Sequence, residues 1–200
     1  MTSELSWAVG LGLAAGLLSL IDPVPYVRDV LRGSTRPHRG TWCVWSVLGI
    51  VAFFSQWGGG GGWSLVMVGI QAVSMTMVFA LSIRRGVGGL ARIDQTLIGV
   101  AIVGILGWQV SDEPLVAVVC VVVADLAGAL MMLPKTWRDP GSETLSTFAL
   151  AGASGVLAAL AEGPAGLTLL LYPVYFGVIN ALTAGIIVAR TRALRVLTPS

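Results

Sequence analysis

Charge is scarce in this chain: 11% of its 200 residues are Asp, Glu, Lys or Arg. A soluble domain of this length carries roughly 25%, and the deficit, with a mean hydropathy of +0.87, excludes an ordinary soluble fold and places the chain in the membrane class. Histidine is represented only by His38, in a basic loop where a lone imidazole is ordinarily solvated. Cys43 and Cys120 are the two cysteines, so neither a disulfide framework nor a metal-ligand spacing exists. Both fall in apolar runs and read as small packing residues. No Ser–His–Asp or Cys–His set lies within those runs, so neither an enzyme nor a bound cofactor is expected. Strand-like alternation is missing as well. Leu115 to Leu133 is apolar on every face, which excludes a membrane β-barrel. No basic residue precedes the first run, which has Glu4 instead, so it does not read as a signal peptide.

Apolar runs long enough to cross ~30 Å of hydrocarbon as helices are plentiful. The pattern predicts an all-α integral membrane protein with seven spans, at 7–27, 41–57, 63–83, 95–110, 115–133, 144–161 and 165–189. All twelve Lys and Arg residues then fall on one side: Arg28, Arg32, Arg36 and Arg39; Arg84, Arg85 and Arg92; Lys135 and Arg138; Arg190, Arg192 and Arg195. The other side holds Glu4, the Gly58–Gly62 run, Asp112 with Glu113, and Glu162. By the positive-inside rule the N-terminus lies outside and the C-terminus in the cytoplasm, in a cell membrane. The formal net charge of +2 is accordingly a topology signal with some attraction to anionic lipid, and nucleic acid is not expected as a partner. Eleven of the twelve basic residues are Arg amid abundant Ala, Gly and Val, a composition associated with high-GC bacterial genomes.

A shift of 103 residues lays the last three spans on the first three, carrying Asp22 onto Asp125, Pro37 onto Pro140, Thr41 onto Thr144 and Gly49 onto Gly152. The chain divides accordingly into a first three-helix repeat (1–85), a linker with the fourth helix (86–110), and a second repeat with a cytoplasmic tail (111–200). Three helices are an odd number, so one extra crossing is needed to give both repeats the same orientation. Parallel repeats about an axis normal to the membrane are a known transporter design. This plan resembles the SWEET sugar carriers and the wider PQ-loop superfamily, over residues 7–189. The resemblance implies alternating access by a small-solute carrier, with prolines of the Pro-Gln pair as hinges. Here the corresponding stretches read Asp22-Pro23-Val24-Pro25-Tyr26 and Asp125-Leu126-Ala127-Gly128-Ala129, with no glutamine after the proline and no proline in the second copy. Pro23 and Pro25 are therefore the expected hinge of the first repeat and Gly128 that of the second.

Asp22 and Asp125 stand out, because an ionisable group within a span is expensive and marks function by default. The resemblance implies proton coupling through them. Asp22-Pro23 also reads as an N-cap with proline at the first helical position, and Asp22 lies within reach of Arg28. Asn180 is the second candidate, since SWEET-like carriers place an asparagine in the third helix of each repeat to bind substrate. At the same shift its mate is Met77, flanked by Ser74 and Thr76. An asparagine in a span also serves helix packing, by ~0.6–2 kcal/mol. Trp42 and Trp45 open the second span. Trp42 reads as an interfacial anchor, and Trp45 with its mate Phe148 offers an aromatic pair for a ring-shaped ligand. Gln71 lines the same path or bonds a neighbouring helix. Tyr172-Pro173 is a kink candidate, and Trp108-Gln109 echoes a pair in the nicotinamide-riboside carriers, which share the plan. The expected partners are the lipid bilayer and a small polar solute such as a sugar or amino acid; homo-oligomerisation is left open. The alternatives are a non-transporting receptor or scaffold on the same fold, or a carrier of a nucleoside-like vitamin precursor.

Overall fold

The computed structural model describes residues 2–58, 64–162 and 166–197. The glycine run at 59–62 and Trp63 lie outside them. The described residues form α1 (Thr2–Ile21), α2 (Pro23–Arg32), α3 (Arg39–Gly58), α4 (Ser64–Arg85), α5 (Arg92–Val110), α6 (Pro114–Arg138), α7 (Leu145–Glu162) and α8 (Leu167–Leu197), with a 3-10 turn at Pro140–Ser142. No strand occurs among them; the nearest approach to one is an isolated bridge between His38 and Val87.

Five stretches are long and apolar enough to cross a membrane: Trp7–Arg32, Arg92–Val110, Pro114–Arg138, Leu145–Glu162 and Leu167–Val196, with a shorter apolar stretch at Arg39–Phe54. Their outward faces are apolar and uncovered. Leu13 and Val103 are 65% and 70% exposed, a surface that water does not tolerate in continuous bands and lipid does.

The helices pack in an order the linear chain does not show. Helix α4 lies against α3, α8 against α7, and α6 against α8; across the molecule α1 meets α7 and α3 meets α6, while α5 covers α6. Small residues let these backbones approach closely, as they do between membrane helices. A Cβ on Gly49 would stand 3.0 Å from the Cα of Ala72 in α4, and one on Gly155 would stand 2.6 Å from the Cα of Gly177 in α8.

The first span is broken. Helix α1 ends at Ile21, Asp22 stays in right-handed helical geometry (φ −57°, ψ −34°), and Pro23 and Pro25 begin α2. Proline has no N–H to donate, so the carbonyls of Ser19 and Ile21 lose their usual helical donors at this point. Proline at the first helical position restarts the helix as expected, but the Asp22 side chain makes no capping bond. Nor does it meet Arg28, whose Nε donates to Asp29 Oδ1 at 2.9 Å. No such break occurs near Gly128: α6 runs as one helix through Gly128 and Pro134, and α8 runs through Pro173.

Hydrogen bonds gather the basic loops at one end of the bundle. Arg85 Nη1 donates to the carbonyl of Val30 at 2.9 Å, Arg39 Nε to that of Ser82 at 3.1 Å, and Arg190 Nε to that of Trp137 at 3.0 Å. The Arg36 guanidinium pairs with the Asp139 carboxylate, and Thr35 Oγ1 and Thr144 Oγ1 share a bond of 2.7 Å. Arg36 and Asp139 are 103 positions apart, so the two matched loops clasp each other.

Candidate functional site

Beneath that clasp lies a buried polar lock. Lys135 Nζ stands 2.6 Å from Glu143 Oε1, with the Glu143 side chain fully buried. Tyr26 Oη donates to Glu143 Oε2 at 2.8 Å, and Trp42 Nε1 donates to Tyr26 Oη at 3.1 Å. Lys135 Nζ also donates to the carbonyls of Arg36 and Ser142. Tyr26, Trp42 and Phe148 pack as a cluster with Met132 and Val78, closing the bundle between the basic end and its centre. Trp42 is 6% exposed and belongs to this core, which corrects its reading as an interfacial anchor. His38 is also buried, at 5%, and not solvated as its loop position implied. Its Nε2 lies 3.8 Å from Asp94 Oδ2, and Thr41 Oγ1 sits 3.3 Å from its Nδ1. Gly88, at φ +70°, gives the ring its place, since a Cβ there would fall 2.1 Å from His38 Nε2. Burial lowers the His38 imidazole from its ordinary value of 6.5, with Asp94 pulling the other way.

Next to the lock, toward the other end, is a cavity of about 60 Å³ walled by α2, α3, α4, α6, α7 and α8. That is room for on the order of four waters. Asp22, Pro23 and Trp45 line it together with Gln71, Ser74, Asp125, Phe148 and Asn180, so the bundle brings most of the sequence-selected residues to one place. No Lys, Arg or His is on the wall. A wider recess of about 280 Å³ continues away from the basic end, sharing Gln71, Met75 and Phe176 with the cavity and reaching Ser19, Ser154 and Tyr172. Access is thus open on that side; beside the lock a separate groove of about 460 Å³ shares Pro23 and Ser74 with the cavity and runs along α2 past Arg28 and Arg32.

Three selected residues are elsewhere. Met77 is 44% exposed in an apolar outer groove with Phe53 and Phe54, and Met75 takes the place on the cavity wall. The reason is helical phase: two residues are about 200° apart around a helix. The walls of α4 (Gln71, Ser74, Met75) and α8 (Phe176, Ile179, Asn180) match at a shift of 105, two more than in the helices before them. The same shift pairs Ala72, which packs on Gly49, with Gly177, which packs on Gly152. Pro25 is in the first turn of α2, off the wall. Gly128 takes the Trp45 ring against its backbone, where a Cβ would meet Trp45 Nε1 at 2.8 Å, and its carbonyl accepts from Thr41 Oγ1 at 2.7 Å.

The two acids differ in surroundings. Asp125 accepts a 2.7 Å hydrogen bond from Tyr175 Oη, and its carbonyl accepts from Trp45 Nε1 at 3.3 Å. The Asp22 carbonyl accepts from Thr147 Oγ1 at 2.8 Å, but no hydrogen bond or ion pair reaches the Asp22 carboxyl among the described residues. At the shift of 105 the counterpart of Tyr175 is Ile70, which has no polar group to offer. Tyr175, Tyr26 and Glu143 escaped the sequence reading. A tyrosine five positions before Asn180 in the same apolar run was the one signal of the first. Comparison with protein-family models, with curated proteins and with solved structures found no match.

Proposed function

We propose that the chain is a multi-pass membrane carrier that moves a small polar solute by alternating access. In this reading seven crossings form two parallel three-helix repeats joined by α5, on the plan that the SWEET and PQ-loop carriers resemble, with the basic end and C-terminus in the cytoplasm. The observation that carries it is the central cavity: a largely apolar pocket bearing Asp22, Gln71, Asp125 and Asn180, walled by matched residues of both repeats, with the Lys135–Glu143–Tyr26 lock toward one end and a wider recess toward the other. Matched packing supports the repeat, since α3 on α4 corresponds to α7 on α8, and α1 on α7 corresponds to α6 on α3.

In this reading the clasp and the lock hold the cytoplasmic end together. Opening inward requires the Arg36–Asp139 clasp and the Lys135–Glu143–Tyr26 lock to part, with Pro23 and Pro25 supplying the break about which α2 swings. In this reading Asp125 couples a proton, supported by its place on the cavity wall and by the Tyr175 hydroxyl that donates to its carboxyl at 2.7 Å. Uptake of a mixed panel of sugars, amino acids, amines and nucleosides into proteoliposomes, with and without a pH gradient, tests the proposal. Accumulation of one class supports it; flat traces for every solute with correctly oriented protein refute it.

The small volume favours a second reading. A site of about 60 Å³ is far below the ~300–1,000 Å³ of ordinary ligand pockets, as a receptor or scaffold without solute flux would have. A stable partner recovered with the intact protein, and no flux, would support that reading.

A further inference from the structure

We propose that the central cavity selects a small organic cation, a protonated amine with an apolar body, and that Asp22 receives its ammonium group. This rests on the carrier reading for the site's purpose but on separate observations for its chemistry.

The first observation is which hydrogen-bonding groups on the wall are already committed. Five of the donors are spent on protein oxygens, leaving the Ser74 hydroxyl and the Gln71 amide N–H. Trp42 Nε1 is bonded to Tyr26 Oη, Trp45 Nε1 to the carbonyl of Asp125, and Thr147 Oγ1 to that of Asp22. Asn180 Nδ2 donates to the carbonyl of Phe176 at 2.9 Å, and Thr183 Oγ1 to that of Ile179 at 2.8 Å. The acceptors are left over. Gln71 Oε1 is buried with no partner, and Asp22, at 6% exposure, has a carboxyl that nothing in the described residues bonds. Buried polar groups are almost always satisfied, so a ligand for this wall must bring donors.

The second observation is charge. Two carboxyl-bearing residues face the cavity and no basic residue does. A lone carboxylate in an apolar bundle is costly unless a cation meets it, and an ammonium offers up to three N–H donors to Asp22 and Gln71. The third is the apolar lining. Trp45, Phe148 and Phe176 present aromatic surface, whose ring faces attract a cation and against which an apolar body is buried. A sugar, which brings as many acceptors as donors, would leave its own oxygens facing these rings and carboxyls.

n-Propylamine and its neutral analogue 1-propanol, each of four heavy atoms and so matched to the cavity, titrated calorimetrically into the full chain in lipid nanodiscs, form the test. The amine should bind at least ten-fold tighter than the alcohol. Asp22→Asn should remove that preference, and Gln71→Leu should weaken the amine by several-fold. Equal affinities, tighter binding of the alcohol, no binding of either, or an amine preference that survives Asp22→Asn would overturn the assignment. The wild-type comparison alone decides the matter if the variants fold poorly. Amine binding without uptake would keep this inference and sink the carrier; uptake of a neutral sugar without amine binding would do the reverse.

Discussion

Removing the charge of Glu143 while leaving Lys135 in place should unlock the basic end, and restoring neutrality by removing both charges should relock it. Breaking a buried ion pair by deleting one partner costs ~3–5 kcal/mol, because the survivor is left buried and unpaired. The low end applies here for two reasons. Lys135 is 14% exposed and keeps two carbonyl acceptors, those of Arg36 and Ser142. Burial also raises the Glu143 carboxyl from its ordinary value of 4.5, with Lys135 and the Tyr26 hydroxyl opposing, so part of the pair's attraction is already offset by desolvation. Glu143→Gln should therefore cost about 3 kcal/mol, and Lys135→Met, which strands the fully buried carboxylate, at least as much. The double variant should return to within ~1 kcal/mol of the parent, since replacing both partners leaves no orphaned charge. For a chain of this size ~3 kcal/mol corresponds to roughly 6–12 °C in unfolding midpoint. Thermal unfolding of the purified variants in one detergent, read as a double-mutant cycle, gives the coupling directly. Additive losses, with the double variant worse than either single one, would refute the lock.

His38 gives the pH dependence. Its folded value lies below 6.5, so as pH falls through 6.5 the unfolded chain binds a proton that the folded chain refuses. Its contribution is present above that pH and lost below it. The unfolding midpoint should drop between about pH 7 and pH 5.5, and His38→Gln should flatten the drop; an unchanged slope would count against a neutral buried imidazole. Asp125→Asn should abolish gradient-driven uptake while expression stays normal, and unaltered uptake would remove the proton role. In a background without Cys43 and Cys120, Asp112→Cys and Arg92→Cys, both exposed, should react with an impermeant maleimide from opposite faces of the membrane. Reaction from one face would overturn the topology.

Membrane character and helical class were legible in the sequence because they depend on bulk properties, hydropathy and length, that no tertiary contact alters. Asp22, Asp125 and Asn180 were legible for a related reason: a polar group in an apolar run has to face something other than lipid. The lock was not. Glu143 and Lys135 look like ordinary loop charges, and only the fold brings Tyr26, more than a hundred positions away, onto the same carboxylate. His38 misled in the same manner, since burial of a loop depends on what covers it, here Gly88 and Asp94. Met77 failed through register. A single shift along the chain presumes equal loop lengths, and a two-residue difference before the third helix of each repeat turns Met77 toward lipid and Met75 inward.

Alternating access requires that one cavity be reached from two sides in turn. Ser74→Cys, on the cavity wall and in a background without Cys43 and Cys120, places one thiol where both routes must pass. Labelling should proceed from the outer face in the parent, and from the cytoplasmic face once Glu143→Gln is added, with the outer rate falling as the inner rate rises. A thiol that labels from the outer face alone in both proteins, or from both faces with no trade between the rates, would contradict alternating access.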